Sequence, residues 1–339
     1  MPRTLLTAWA ARRGLLLRRG VAYRRGQARE AGMGQATIID CDPGTDDAIA
    51  LFLAMGSPEL DLRAVTVVGG NVGLDRTLAN ARALVGLGRA DVPVFAGADR
   101  AMLGPFVSEV RVHGEDGIGG VVLPPGAAAQ PGVASDAIRA ILRGAAEDSV
   151  TLIGLGPATN LGLVLATEPA LAARIRQIVL MTGAWAEGNK TLDAEFNAWN
   201  DPEALQIVLD CGRPVVLVTL ELTAQAFCTP ARVAAIQALG GGACHATACA
   251  IMERMPPTQR LGGGGYPQHD ACAVAWAVAP QLFTTRAVYA TMDLGPGPGR
   301  GRTVIDRWGR LGRPANATLL ERLDVEGFFG LLGARISGA

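Results

Sequence analysis

Short apolar runs alternate with helical patterns from residue 36 onward. Residues 36–39 predict a buried strand, Pro43 and Gly44 mark a turn, and residues 49–55 predict a helix. Further strands are predicted at 62–68, 92–97, 150–156, 175–181 and 214–218 and near 288 and 304. Further helices are predicted at 77–87, at 135–143, from 159, from 202, within 230–255, at 271–279 and from 325. This alternation is typical of an α/β fold with an open, mostly parallel sheet covered by helices.

Two segments lack these patterns and are predicted to be loops. Residues 99–132 are rich in Gly and Pro and contain His113, and loops of this length are commonly functional. Residues 187–200 are polar and are expected to be extended. Two polar residues are predicted to start helices, Ser135 as a cap and Asn160 after Thr159.

The composition is that of a globular chain rather than a disordered one. Of 339 residues, 49% are hydrophobic and 18% are charged, and the mean hydropathy is +0.26. No repeat or linker divides the sequence, so residues 36–335 are interpreted as a single domain. No apolar run reaches the length of a membrane span, so no membrane partner is expected.

The N-terminal 35 residues differ in charge from the rest. They hold eight arginines and one acid, which leaves 23 basic and 30 acidic residues elsewhere, a net charge of −7. A mildly acidic body does not favour nucleic-acid binding. Residues 1–35 are expected to be disordered, a targeting segment or untranslated, with Met33 as an alternative start.

The six cysteines are scattered and form no CxxC pair. Cys244 and Cys249 have His245 between them, but no further zinc ligands can be placed. We therefore expect buried thiols in a reducing compartment, and a cytoplasmic protein.

Four carboxylates lie within eight residues at the first predicted turn: Asp40, Asp42, Asp46 and Asp47. Like charges at this density repel each other, so a cation is expected among them. Oxygen ligands from Asp suit Ca²⁺ or Mg²⁺. The alternative is a helix N-terminus that carries acids because the helix dipole favours them, which one or two Asp would satisfy.

Asn71 and the polar loop from Asn189 to Asn197 follow other predicted strands. These strands end at the same edge of the sheet as the acid-rich turn, where ligands bind in such folds. His269-Asp270, at the start of a helix, could add a ligand and an imidazole. Glu195 and Asn197, two residues apart, would face one side and could hold neighbouring hydroxyls. Together these residues indicate hydrolysis at a polyol or sugar carbon, with an Asp-activated water.

The acid-rich turn Asp40-Cys41-Asp42-Pro43-Gly44-Thr45-Asp46-Asp47-Ala48 resembles the N-terminal signature of the inosine–uridine-preferring nucleoside hydrolases. Later blocks resemble that family in the same order over residues 36 to 335, among them Val68-Gly69-Gly70-Asn71, His113-Gly114-Glu115-Asp116-Gly117, Ala194-Glu195-Phe196-Asn197 and His269-Asp270-Ala271. The resemblance implies a Rossmann-like fold and a ribonucleoside N-glycosidase that yields ribose and free base. It also implies a homodimer or homotetramer.

The resemblance further implies a role for each matched residue. Ca²⁺ would be held by Asp42, Asp47, Asp270 and the carbonyl of Leu155, with Asp42 also activating the bound water. His269 would be the acid that protonates the leaving base. The remaining matches would bind substrate: Asp46, Asn71, His113, Met181, Asn189, Glu195 and Asn197.

Three departures from the family pattern concern base preference more than activity. Ala224 stands where His is common, Glu221 where Asp is usual, and Leu192 where Pro is frequent. Two alternatives stay open. One is an Asp-nucleophile, Mg²⁺-dependent phosphatase with Asp40 as the nucleophile, although the single lysine, Lys190, does not suit its phosphate site. The other is a catalytically silent nucleoside-binding protein of the same fold.

Overall fold

The structure, a computed structural model, describes residues 34–258 and 264–339. The predicted N-terminal extension lies outside these residues except for its last two positions, and so does part of the glycine run at 262–265. Strand β1 begins at Gln35, and residues Gly34–Ala339 form one unit by their contacts. No helix in the described ranges is both long and apolar enough to cross a membrane.

Thirteen strands lie in the described ranges: β1 (Gln35–Cys41), β2 (Leu60–Val67), β3 (Val94–Ala96), β4 (Arg100–Ala101), β5 (Gly104–Pro105), β6 (Val150–Gly154), β7 (Ile175–Met181), β8 (Val215–Val218), β9 (Phe227–Cys228), β10 (Tyr266–Pro267), β11 (Phe283–Met292), β12 (Thr303–Asp306) and β13 (Ala317–Leu323).

The α-helices of the same ranges are α1 (Thr45–Met55), α2 (Leu74–Gly88), α3 (Val110–His113), α4 (Ala134–Gly144), α5 (Thr159–Thr167), α6 (Phe196–Asn200), α7 (Pro202–Leu209), α8 (Leu220–Thr223), α9 (Pro230–Leu239), α10 (Ala243–Met252), α11 (His269–Val278) and α12 (Val325–Ser337). Short 3₁₀ helices at Pro169–Arg174 and Pro280–Leu282 precede β7 and β11.

Nine of the strands form one sheet in the order β12-β11-β13-β8-β7-β6-β1-β2-β3. All pairs from β13 to β3 are parallel, and β11 pairs antiparallel with both β12 and β13. The predicted open, mostly parallel α/β sheet is therefore confirmed. Strand β13 was missed by the sequence analysis, although it joins the parallel part of the sheet to the antiparallel edge.

The sheet separates two apolar cores. The neighbours Ile38 and Ile39 on β1 are both fully buried, yet they belong to opposite cores because successive side chains of a strand point to opposite faces. Helix α1 is buried along its whole length, including its first-turn acids, since α11 and α12 pack against it. This places the acid-rich turn beneath covering helices.

Two local predictions were wrong. Ser135 does not cap α4, which starts one residue earlier after Val133; its hydroxyl accepts a hydrogen bond from Arg139 instead. The segment 99–132 is not a continuous loop, because it contains the β4–β5 hairpin and helix α3. A turn of helix and a two-residue hairpin are too short to produce a readable hydrophobic period.

Candidate active site

Four buried carboxylates converge where β1 ends and α1 begins. Asp46, Asp47 and Asp270 each offer an oxygen, and these three oxygens lie within 4.8 Å of one another. Asp42 belongs to the same charge cluster but not to this compact trio; its N–H donates to Asp47 Oδ1 at 3.2 Å. All four side chains are at most 5% exposed. The first turn and the start of α11 thus form one site.

The Asp42 carboxylate is enclosed by backbone. Its Oδ2 accepts from the Asn71 N–H at 2.7 Å, whereas Oδ1 is buried and has no hydrogen-bond partner among the described residues. A Cβ added to Gly156 would lie 2.5 Å from Oδ1, and one added to Gly70 would collide with Oδ2. Only glycine at these two strand ends allows the carboxylate to occupy this position.

Asn71 connects the acids instead of lying free at a strand end. Its Nδ2 donates to the Asp42 carbonyl and to Asp47 Oδ2, both at 3.1 Å. Asp47 Oδ2 also accepts from the Gly44 N–H at 2.9 Å, at the start of α1. These bonds fix Asp47 while the Oδ1 atoms of Asp42 and Asp46 remain without donors.

Burial and mutual repulsion act together on these acids. Burial, followed by repulsion from Asp47, raises the pKa of Asp46 to about 8. Burial is also the main reason that the pKa values of Asp42 and Asp270 are raised, with repulsion from the neighbouring acids adding to it. A divalent cation would stabilise the charged forms and supply partners for the orphaned oxygens. The donor set of carboxylates therefore fits a hard metal ion.

Asp40 plays a different part from its neighbours. Its Oδ1 accepts from Thr66 Oγ1 at 2.6 Å and from Asn160 Nδ2 at 2.8 Å, and burial raises the pKa of its carboxyl to about 7. Asn160 lies in the first turn of α5, as predicted, but its side chain does not cap that helix. Its side chain reaches β1 and also accepts from the Ala98 N–H at 3.0 Å. Asn160 therefore links α5, β1 and the loop after β3.

The two candidate imidazoles are both near the acids. His113 ends α3 and is 5% exposed; its Nδ1 accepts from the Thr45 N–H at 3.2 Å and lies 3.9 Å from Asp46 Oδ1. His269 begins α11, with Nδ1 2.7 Å from Thr223 Oγ1. Burial lowers the pKa of His113 to about 3, with the charge of His269 adding to it, and burial lowers that of His269 to about 4. Both rings are neutral at neutral pH.

The second polar segment is partly helical, so the expectation of an extended loop through Asn197 was wrong. Glu195 caps α6 and accepts from the Asn197 and Ala198 N–H groups at 2.9 and 3.0 Å. Asn197 Nδ2 donates to the carbonyls of Leu155 and Met181 at 2.7 and 3.0 Å. The segment is thereby fastened to the ends of β6 and β7, beside the acids.

Asn189 lies earlier in the same segment and is exposed. Its Oδ1 accepts from the Phe196 N–H at 2.8 Å. The side chain therefore folds the polar segment back onto the start of α6.

Tyr266 is a site residue that sequence reasoning missed. It is buried, its hydroxyl hydrogen-bonds Thr45, and its ring meets His269 edge to face with centroids 5.9 Å apart. Repulsion from Asp46 and Asp270 helps to raise the pKa of the phenol, after burial. Its position three residues before His269 was the only available signal, because the pairing of β10 with β9 is non-local.

Comparison with known proteins gives a consistent result. The family described as inosine-uridine preferring nucleoside hydrolase matches residues 37–330. The pyrimidine-specific ribonucleoside hydrolase RihB of Escherichia coli (strain K12 / DH10B) is 37% identical over 305 residues, covering 89% of this chain and 96% of the relative.

Solved structures agree with that match. The purine-preferring ribonucleoside hydrolase from Gardnerella vaginalis superposes with a TM-score of 0.83 at 30% identity, over 90% of this chain and 98% of that one. An inosine-guanosine nucleoside hydrolase gives 0.80 at 31% identity, over 89% and 98%.

Proposed function

Because the chain belongs to the inosine-uridine preferring nucleoside hydrolase family, we propose that it uses Ca²⁺ to hydrolyse the N-glycosidic bond of ribonucleosides. The family makes the chain a hydrolase of ribonucleosides; the ion and the residue roles are proposed here. The observation that carries them is the pair of buried oxygens, Asp42 Oδ1 and Asp46 Oδ1, that have no donor among the described residues. Buried charges without partners are costly unless a ligand supplies the missing contact.

We assign the Ca²⁺ ligands to Asp42, Asp47, Asp270 and the carbonyl oxygen of Leu155. Asp47 and Asp270 belong to the compact trio of carboxylates, and Asp42 supports the set through its buried Oδ1, which has no donor among the described residues. The third member of the trio, Asp46, is assigned to the ribose. The Leu155 carbonyl already accepts one bond from Asn197, and its second lone pair is available to a cation. When bound, Ca²⁺ would lower the pKa of a coordinated water and orient the ribose diol.

The chain's own residues then divide the reaction. Asp42 Oδ1 accepts the proton of the attacking water, whose oxygen forms the new bond to the anomeric carbon as the bond to the base nitrogen breaks. The carboxylates nearby stabilise the positive charge that develops on the sugar. We assign ribose binding to Asp46, Asn71, Met181, Asn189, Glu195 and Asn197.

His269 is proposed to protonate the departing base, and His113 to lie beside that base. A neutral His269 can act as the acid only if substrate binding raises its pKa from about 4, which a developing negative charge on the base would do. Thr223 fixes the orientation of the ring through Nδ1 and so leaves Nε2 to face the substrate.

We further propose a cytoplasmic enzyme that forms a homodimer or homotetramer. All six thiols are free, and five of them are buried, which suits a reducing compartment. Exposed Trp308 and Leu311 offer apolar area for an interface between copies. Light scattering on the purified protein measures the assembly.

The decisive experiment is a reducing-sugar assay on inosine, adenosine, guanosine, uridine and cytidine, with and without chelator. Both purine and pyrimidine nucleosides belong in it, because the relatives' names specify both. We expect ribose release from at least one nucleoside, lost with chelator and regained with Ca²⁺. Phosphate release from an ester without ribose release would favour the phosphatase, and nucleoside binding without cleavage would favour the silent binder.

A further inference from the structure

The only lysine of the chain, Lys190, lies between two segments of the site and has no role in the proposed reaction. Its Nζ is 2.9 Å from Glu109 Oε2, and it lies 5.4 and 5.6 Å from the ring centroids of Phe196 and Trp199. The side chain is only 15% exposed, and that of Glu109 is 29% exposed. The cation is thus held by a carboxylate and two aromatic faces, which restricts it far more than a surface ion pair would.

Each partner is fastened to a different part of the site. Glu109 immediately precedes α3, and its carbonyl accepts from the N–H groups of Val112 and His113 at 3.0 and 3.3 Å. Its own N–H donates to the Asn71 carbonyl at 3.0 Å. The Glu109 side chain is therefore attached to the start of the short helix α3, which ends at His113.

On the other side, Lys190 directly follows Asn189, and its N–H donates to the Ala194 carbonyl at 3.0 Å. Ala194 is followed directly by Glu195, which caps α6. The Lys190 side chain thus belongs to the segment proposed to hold the ribose.

We propose that the Lys190–Glu109 pair is a latch that fixes the His113 helix against the ribose-binding segment, which makes Lys190 a positioning residue. The inference rests on the proposed function, since it assigns these two segments to the two halves of a nucleoside. A four-residue helix has little stability of its own, so it depends on such tertiary contacts. The latch should affect the binding of a nucleoside, which contacts both segments, and not the binding of free ribose.

Steady-state kinetics test the latch through four variants. Lys190→Met keeps the aliphatic stem and removes the charge, and Glu109→Gln removes the partner's charge. We expect each to raise the KM for nucleosides about fivefold with kcat within twofold, as loss of a half-buried ion pair does. The double variant should be no worse than either single one, and Lys190→Arg should recover most of the loss. Inhibition by ribose should not change.

A control pair lies on two helices that supply no proposed site residue. Arg232 on α9 lies 4.3 Å from the Phe329 ring centroid and pairs at 2.8 Å with Glu326 on α12, whose side chain is 86% exposed. Glu326→Gln should leave the KM unchanged. Additive effects of the two latch variants, or a KM increase only for a nucleoside 5′-phosphate, would overturn the latch, the latter by making Lys190 a phosphate contact.

A spectroscopic readout needs no turnover. Reductive methylation with ¹³C-formaldehyde labels one side-chain amine, Lys190, besides the α-amine, and the Lys190→Arg spectrum identifies its signal. We expect Glu109→Gln to shift and sharpen that signal, and an unchanged signal would contradict the latch. If the wild-type protein cleaves no nucleoside, the proposed function fails whatever the signal does. If it cleaves nucleosides and Lys190→Met has the wild-type KM, only the latch fails.

Discussion

Buried carboxylates occur in two neighbouring regions of the molecule, the acid turn (Asp40–Asp47) and the capping segment (Glu195–Asp201). The two regions differ in how many hydrogen-bond donors their carboxylates have. In the capping segment every carboxylate has several donors. Glu195 accepts from backbone N–H groups and the Thr182 hydroxyl, and Asp201 accepts from Thr159 Oγ1 at 2.6 Å and from two N–H groups. In the acid turn, Asp42 and Asp46 each keep a buried oxygen without a donor.

The comparison separates buried acids whose oxygens have hydrogen-bond donors from those that keep an oxygen without one. A buried carboxylate with a full set of donors stabilises the helix or segment that it caps. One that lacks donors among close like charges destabilises the fold until a cation binds. Unfavourable charge is therefore concentrated in the acid turn, where we propose that a cation binds, and the capping segment fixes the surrounding backbone.

Asp42→Asn should have the largest effect on activity among the variants that test this difference. It keeps the acceptor for the Asn71 N–H and removes the proposed base, so kcat/KM should fall on the order of 10²–10⁴-fold. The metal-free variant should be no less stable than metal-free wild type, because one repelling charge is gone. Ribose release and thermal unfolding measure the two effects. Asp201→Asn serves as the control, and an Asp42→Asn enzyme of normal rate would disprove the base assignment.

Gly156→Ala should be the next largest effect. The added methyl group must push Asp42 Oδ1 from its position, and displacements of about 1 Å at a reacting group cost roughly 10²-fold in rate. Gly73→Ala is the control, since nothing lies within 4 Å of a Cβ added there. Equal activity of the two variants would show that the position of Asp42 is not critical.

The pH dependence of stability should differ between the metal-free and Ca²⁺-loaded protein. The pKa of Asp46 rises on folding from 3.8 to about 8, so its contribution to stability is present below pH 3.8 and is lost as the pH rises through about 8. The metal-free melting temperature should therefore fall over this window. Ca²⁺ at 100 times its Kd should add about 2.7 kcal/mol and flatten the fall. Parallel curves with and without Ca²⁺ in calorimetry would argue against the site.

Asp201→Ala should give the smallest effect and act on stability alone. It removes the cap of α7 and leaves Thr159 and Met102 without their acceptor, at a cost of about 2 kcal/mol. Denaturant unfolding measures the loss, and kcat/KM should stay within threefold. A large loss of activity in a folded variant would remove the distinction between the two regions.

The sequence predicted the acid turn well because every signal there is local. An apolar run, Pro43-Gly44 and a helical pattern specify strand, turn and helix, and β1 and α1 confirm them. The carboxyl-end rule for parallel sheets then placed Asn71 beside the turn, as the structure shows. Asp270, predicted as a further ligand at a helix start, also lies there. The order of the family blocks added the proposed chemistry.

What the sequence could not show depends on partners far along the chain. Asn160 binds Asp40, 120 residues away, and nothing local distinguishes that side chain from a helix cap. Glu195 and Asn197 fit an extended pattern as readily as the start of a short helix. Their distant partners decide between the two: Glu195 accepts from the Gly183 N–H after β7, and Asn197 donates to the Met181 carbonyl at the end of β7. Tyr266 reaches the acids only because β10 pairs with β9.

The most direct test of the account is a Ca²⁺ titration of chelator-stripped protein, with bound metal and ribose release measured on the same samples. For the wild type we predict no turnover without metal and a recovery that saturates at one Ca²⁺ per chain. Asp47→Asn should bind Ca²⁺ much more weakly and recover turnover only at high Ca²⁺, whereas Asp201→Asn should behave as the wild type. Full turnover by stripped protein with no detectable bound metal would contradict the claim that the acid turn holds a catalytic cation.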